Sequence, residues 1–202
     1  GFRPALNTPL RGPLFKRILA VGLVACAMAT IANLSTILVT ARIAHHGAVA
    51  VAAYGISARI EFLMVPLAFG VGSALTALVG RAVGGGDWTE ARGIAWTGGG
   101  LAFLVTGAIG AVVMLAPGTV AALATQALTA IGPALPFFGI GMALYFAAMG
   151  AGRMVWPVVA ALSRIGIAVG GGWLLGDVMG YGLDGQFVAV GLGITAYGAV
   201  VA

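Results

Sequence analysis

Six stretches of this chain each approach or exceed the run of about 20 apolar residues that a helix needs to cross the hydrocarbon core of a bilayer, and short connections make up most of the rest. They run from about Phe15 to Ala41, Val49 to Val83, Ala91 to Leu115, Ile131 to Gly150, Val155 to Leu175, and Leu183 to the chain end. A polar lead with Pro4, Pro9 and Pro13 precedes the first. Arg59, Glu61 and Pro66 break the second in its middle, and Gly84-Gly85-Gly86-Asp87, with Trp88 beside it, ends that stretch. Pro117-Gly118 stops the third, and an uncharged connector, Thr119 to Thr129, reads as a short interfacial helix. In lipid only helices and closed barrels satisfy the backbone, and barrel strands would alternate in polarity at every second residue. The expected fold class is therefore all-α, a polytopic membrane protein built as a six-transmembrane-helix bundle.

Composition narrows the classes further. Of 202 residues, 61% are apolar and only 7% charged, against roughly 25% charged in a soluble domain. Too little polar surface is available to coat a soluble enzyme, and a disordered chain is excluded for the opposite reason. The ten Lys and Arg residues form no basic run or basic-aromatic patch, so no nucleic acid is expected as a partner. Their distribution is informative instead. If the first span leaves the cytoplasm, inner connections carry Arg3, Arg11, Lys16, Arg17, Arg81, Arg92 and Arg153, while outer ones carry only Arg42 with His45, His46, Asp177 and Asp184. That positive-inside bias puts both ends in the cytoplasm.

The single cysteine, Cys26, permits no intrachain disulfide. Leu23-Val24-Ala25-Cys26 looks like a lipoprotein cleavage box, but the apolar run continues to Ala41, too far for a signal segment. The chain begins at Gly1 and stops within an apolar run, which reads as an excerpt of a longer protein. Many of the 34 glycines stand at close helical spacing, as Gly166 and Gly170 do, which suits close helix packing in a membrane. Gly98-Gly99-Gly100 and Gly170-Gly171-Gly172 are candidates for flexible or unwound turns.

Enzyme signatures are missing. Gly55-Ile56-Ser57-Ala58-Arg59 is not GxSxG, and the glycines at 84–86 lack the GxxxxGK[ST] of a phosphate cradle. His45-His46 has no Cys or carboxylate close in sequence and reads as a solvated loop pair, with no metal site expected. The chain is not expected to be an enzyme, and no resident cofactor is expected.

The informative residues are polar ones inside apolar spans, where they are costly and usually face the bundle interior or a wet cavity. On the second span Tyr54, Ser57, Glu61, Val65, Ala68, Gly72 and Thr76 recur at steps of three and four, one helix face. On the fifth, Pro157, Ala161, Arg164, Ala168 and Gly172 form a similar stripe. The first has Cys26, Thr30, Asn33, Ile37 and Thr40 with Thr36 at its edge, and the fourth has Gly141, Tyr145, Ala148 and Gly152. Asn33, Thr36, Tyr54 and Tyr145 are the candidates for lining a cavity, the other reading being interhelical hydrogen bonds. Glu61 falls about 16 Å along its helix and Arg164 about 13 Å along one entering from the opposite side, both near the middle of a roughly 30 Å core. The two are expected to pair, directly or through water. Arg59 lies about 200° around the helix from Glu61 and competes only if Pro66 distorts the helix. An unpaired Glu61 would instead be a candidate proton carrier.

The run AAYGISARIEFLMVPLAFGVGSALTALVGRAVGGGDWTEAR, from Ala52 to Arg92, resembles the multidrug and toxic compound extrusion (MATE) family, from its eighth helix to the loop before its ninth. GMALYFAAMGAGRMVWPVVAALSR, from Gly141 to Arg164, resembles that family's tenth and eleventh helices. By this resemblance residues 1–202 form the C-terminal six-helix lobe, helices seven to twelve, with 1–14 the cytoplasmic linker between lobes. The resemblance implies half of a secondary active antiporter in a bacterial-type inner (plasma) membrane. Such a protein exports small organic, often cationic, compounds in exchange for H+ or Na+ by alternating access. Its partners would be the N-terminal lobe of the same polypeptide and the lipid bilayer. Some family members place carboxylates in helices seven and ten as part of a cation site. The spans at 15–41 and 131–150 contain no Asp or Glu, so ion coupling is expected mainly in the N-terminal lobe. The alternatives are a flippase for lipid-linked saccharides of a related transporter family, or a non-transporting membrane scaffold.

Overall fold

The computed structural model describes residues 12–115 and 122–202. The chain is all-helical over these residues. It runs α1 (Gly12–Ala44), α2 (Ala48–Gly84), α3 (Trp88–Leu115), α4 (Ala122–Ile131), a 3-10 turn (Gly132–Ala134), α5 (Leu135–Gly150), α6 (Val155–Gly166) and α7 (Gly182–Val201). Two π-helical stretches, Ile167–Gly171 and Trp173–Val178, extend α6 to the end of its span. Six helical units are long and apolar enough to cross a membrane. The expected linker at 1–14 lies mostly outside the described residues, and from Gly12 the chain is already helical.

Three expectations about segment boundaries are corrected. Arg59, Glu61 and Pro66 do not break the second span: α2 is continuous, because polar side chains on one stripe leave the backbone ladder intact. The connector expected at 119–129 is no separate interfacial helix over its described part. From Thr125 it belongs to the fourth span, α4 passing through the 3-10 turn into α5. With no charge in it, nothing opposes its burial against α2 and α7. Gly98-Gly99-Gly100 is regular helix, and a Cβ on Gly99 would lie 3.3 Å from Ile140 Cγ1. Gly170-Gly171-Gly172 lies in the π-helical region, a widened helix instead of an unwound turn. Gln186 of α7, only 2% exposed, lies against Gly172 and Gly176 there.

Helix α5 is the hub, packed on α2, α3 and α7, while α6 lies along α7 and α1. Small residues make the close approaches possible. A Cβ on Gly150 would stand 3.0 Å from Thr76 Cα, and one on Gly193 would stand 2.9 Å from the Arg164 carbonyl oxygen. The second contact seats the turn of α6 that carries Arg164. By contrast, only 6% of the first span is buried, against 61% of the fourth. Most of α1 is therefore left uncovered by the other described residues.

The helix ends sort into two layers. At one end Arg42 pairs with Asp177, and Gln126 donates to Asp184. At the other, the turn at 85–87 meets the turn at 151–154, with the Arg153 guanidinium carbon 4.8 Å from the Trp88 ring centroid. The described basic residues Arg81, Arg92 and Arg153 collect at that second end, and the positive-inside rule predicts that it is cytoplasmic. Membrane-impermeant thiol reagents added outside should label cysteines introduced beside His46 and Asp184 but not beside Gly85. Labelling at Gly85 from outside would reverse the orientation.

Candidate functional site

Helices α1, α2, α5, α6 and α7 line a partly open cavity of about 360 Å³. Its centre is an ion pair. Glu61 comes from the polar face of α2, and Arg164 comes from α6 at the turn seated by Gly193. Arg164 Nη2 donates to Glu61 Oε1. The two side chains are 17% (Arg164) and 16% (Glu61) exposed, so the pair is largely shielded yet reaches the cavity. The Arg164 guanidinium carbon also lies 5.6 Å from the centroid of the Phe138 ring, within cation–π range. Two opposite charges at hydrogen-bond range cancel at a distance, so the wall presents a local dipole and no net charge. Arg59 is not part of this. It is exposed on another face of α2, as its angular offset from Glu61 requires.

The rest of the wall is mainly aromatic and apolar. Phe62 and Phe69 project from α2, Phe138, Met142 and Tyr145 from the α5 segment, and Tyr197 from α7. The Tyr197 hydroxyl donates to Met142 Sδ at 3.8 Å. Helix α1 contributes Asn33, Ser35 and Thr36 to the wall. Asn33 Nδ2 donates to Ala29 O at 2.8 Å and Thr36 Oγ1 to Ala32 O at 3.2 Å, both within their own helix. The Thr36 hydroxyl hydrogen and one Asn33 amide hydrogen are therefore used within α1, and the second amide hydrogen and the side-chain oxygens face a guest.

Asn33, Thr36, Tyr145, Glu61 and Arg164 thus share one cavity. Tyr54 does not line it. Although Tyr54 shares the face of Glu61, it lies about two turns nearer the start of α2. There α4 fills the space, and Tyr54 packs into the core with Ala127, Ile131, Val190 and Ile194. Thr76, on the same stripe, bridges helices by donating to Phe146 O at 3.0 Å, a packing role. Sequence reasoning missed Ser35, Phe62, Phe69, Phe138, Met142 and Tyr197. Tyr197 had a signal, since it stands four residues after Gly193 and eight after Ala189 on one face of α7. The phenylalanines had none, because an aromatic in an apolar span is unremarkable until its neighbours are placed. Among the described residues no group of three or more His, Cys, Asp or Glu side chains could hold a metal ion.

The sequence model of the MatE family matches residues 25–174. The chain belongs to the MatE family. Solved structures agree on the fold. An outward-facing multidrug resistance MATE family transporter of the MOP superfamily matches with a TM-score of 0.89 at 20% identity, over 98% of this chain and 47% of its own. An inward-facing conformation of a multidrug resistance MATE family transporter of the MOP superfamily matches with a TM-score of 0.80 at 21% identity, over 96% of this chain and 47% of its own. The MATE transporter ClbM in complex with Rb+ matches with a TM-score of 0.86 at 22% identity, over 94% of this chain and 46% of its own. No curated protein sequence matches significantly. The chain spans about half the length of the solved transporters it matches, one lobe of their fold. It is a multi-pass membrane protein of this family.

Proposed function

We propose that this chain is the C-terminal lobe of a secondary active efflux antiporter, which exports small organic compounds, often cationic, in exchange for H+ or Na+. The observation that carries the reading is the cavity between α1 and α6, with aromatic walls and one internally neutralised ion pair. A volume of about 360 Å³ lies in the range of small-molecule sites, which are mostly apolar with a few placed polar groups. Five aromatic rings (Phe62, Phe69, Phe138, Tyr145 and Tyr197) offer faces to a flat or cationic guest. The unpartnered length of α1 supplies a face for an opposing lobe, as alternating access requires.

Ion coupling is assigned mainly to that opposing N-terminal lobe. Within this lobe the one carboxylate on the cavity wall is already paired with Arg164, which leaves it poorly suited to hold Na+. ClbM, solved with Rb+, makes cation binding a property to test in the complete protein. A flippase for anionic lipid-linked saccharides fits less well, because among the described residues Arg164 is the only Lys or Arg on the wall and Glu61 neutralises it. Cells lacking their own efflux pumps and expressing the full-length gene should accumulate less of a fluorescent organic cation. Collapse of the proton and sodium gradients should restore accumulation. Unchanged accumulation with intact gradients would overturn the reading.

A further inference from the structure

A second concavity, of about 280 Å³, opens at the Gly85 end of the bundle and shares no lining residue with the cavity around the Glu61–Arg164 pair. Trp88, Arg92 and Trp96 stand at successive steps of four on one face of α3 and form one wall. Arg153 and Trp156, from the turn into α6, face them. The floor is apolar and small, with Ala91 and Ala147 packed on Val79 and Ala82. The three indoles are about half exposed or more, at 49%, 48% and 63% for Trp88, Trp96 and Trp156. Val201 and Ala202 complete its wall, and among the described residues no Asp or Glu side chain lines the cleft. Of the two nearest in sequence, Asp87 caps α3 by accepting the Glu90 N–H at 2.8 Å, and neither residue reaches the wall. Arg92 and Arg153 make no ion pair with any described residue, and Arg153 lies over the Trp88 ring at 4.8 Å.

We propose that this cleft is a binding site for one anionic phospholipid. The two guanidiniums would hold the phosphate, Trp88 would sit at headgroup depth, and an acyl chain would follow the apolar floor past Trp96, about 12 Å further along α3. Two unpaired arginines at a helix-end layer suit an anion, and guanidinium matches phosphate geometry. Tryptophan favours the membrane–water interface, with its ring in the acyl boundary and its N–H toward the headgroup. Basic pockets between transmembrane helices bind anionic headgroups in this way. Such a site depends on neither the orientation of the bundle nor transport by the cavity.

Tryptophan quenching tests it on the full-length polypeptide, reconstituted in mixed phosphatidylcholine and phosphatidylglycerol vesicles with bromine on the acyl chains of one lipid or the other. Brominated phosphatidylglycerol should quench more than its mole fraction predicts, with a preference over phosphatidylcholine of roughly fivefold per arginine. The excess should vanish in the Arg92→Gln/Arg153→Gln variant, and also in the Trp88→Phe/Trp96→Phe/Trp156→Phe variant, which removes the reporters. Should either variant fold poorly, the wild type suffices, because its preference should fall when salt is raised to about 0.5 M. Equal quenching by the two lipids, as when another part of the polypeptide fills the cleft, would overturn the proposal. So would an excess that survives loss of both arginines or is insensitive to salt.

Discussion

Glu61→Gln and Arg164→Gln should each destabilise the full-length protein by about 3–5 kcal/mol, the cost of leaving one member of a buried ion pair without its partner. The amide in Glu61→Gln can still accept a hydrogen bond from Arg164, but it cannot cancel the charge. The penalty then falls on a guanidinium surrounded by Phe138, Met142 and Tyr197. Because the pair joins α2 to α6, its loss also removes a direct link between two helices that line the cavity. The double swap Glu61→Arg with Arg164→Glu restores opposite charges at the same place, and should recover part of both stability and efflux. Thermal unfolding in detergent and drug efflux in cells measure the two effects. A different pattern would assign Glu61 to proton carriage. In that case Glu61→Gln would abolish pH-driven efflux while the protein stays folded, and the swap would restore nothing.

The second large effect concerns the lobe by itself. Reconstituted in vesicles, residues 1–202 should show no ion-coupled flux of organic compounds. Alternating access needs a second rigid body against which the first can rock, and α1 has most of its surface unpartnered within this bundle. Flux at or near the rate of the full-length polypeptide, from monomer or dimer, would mean that the lobe is a transporter in its own right.

The parts legible in the sequence were those governed by length and angle. Runs of apolar residues gave six spans because lipid permits few alternatives, and a step of three or four residues put Glu61 on the inner face of α2 and Arg164 on the inner face of α6. The same arithmetic kept Arg59 away from Glu61, and the exposed position of Arg59 agrees. The parts that were not legible depend on what stands opposite. Tyr54 and Glu61 share a stripe, yet α4 fills the space before one and leaves a cavity before the other. Helix continuity through Arg59, Glu61 and Pro66 was hidden for a related reason. A polar cluster inside a span reads as a break until the partner that satisfies it, here Arg164, is placed. The connector before Ile131 misled because absence of charge suits an interfacial helix and a buried span equally. Gly98 and Gly99 illustrate the last difficulty. Their role is set by the side chains of Leu75 and Ile140, which sequence spacing alone does not bring near.

Gradient-driven flux through the full-length polypeptide in proteoliposomes tests the antiporter reading most directly. With an imposed proton or sodium gradient, a fluorescent organic cation should move against its own concentration gradient. That movement should stop when an ionophore collapses the imposed gradient, and it should be absent in vesicles holding residues 1–202 alone. No uphill movement under either gradient, in protein shown to be folded and correctly inserted, would contradict the assignment of this fold and cavity to ion-coupled efflux.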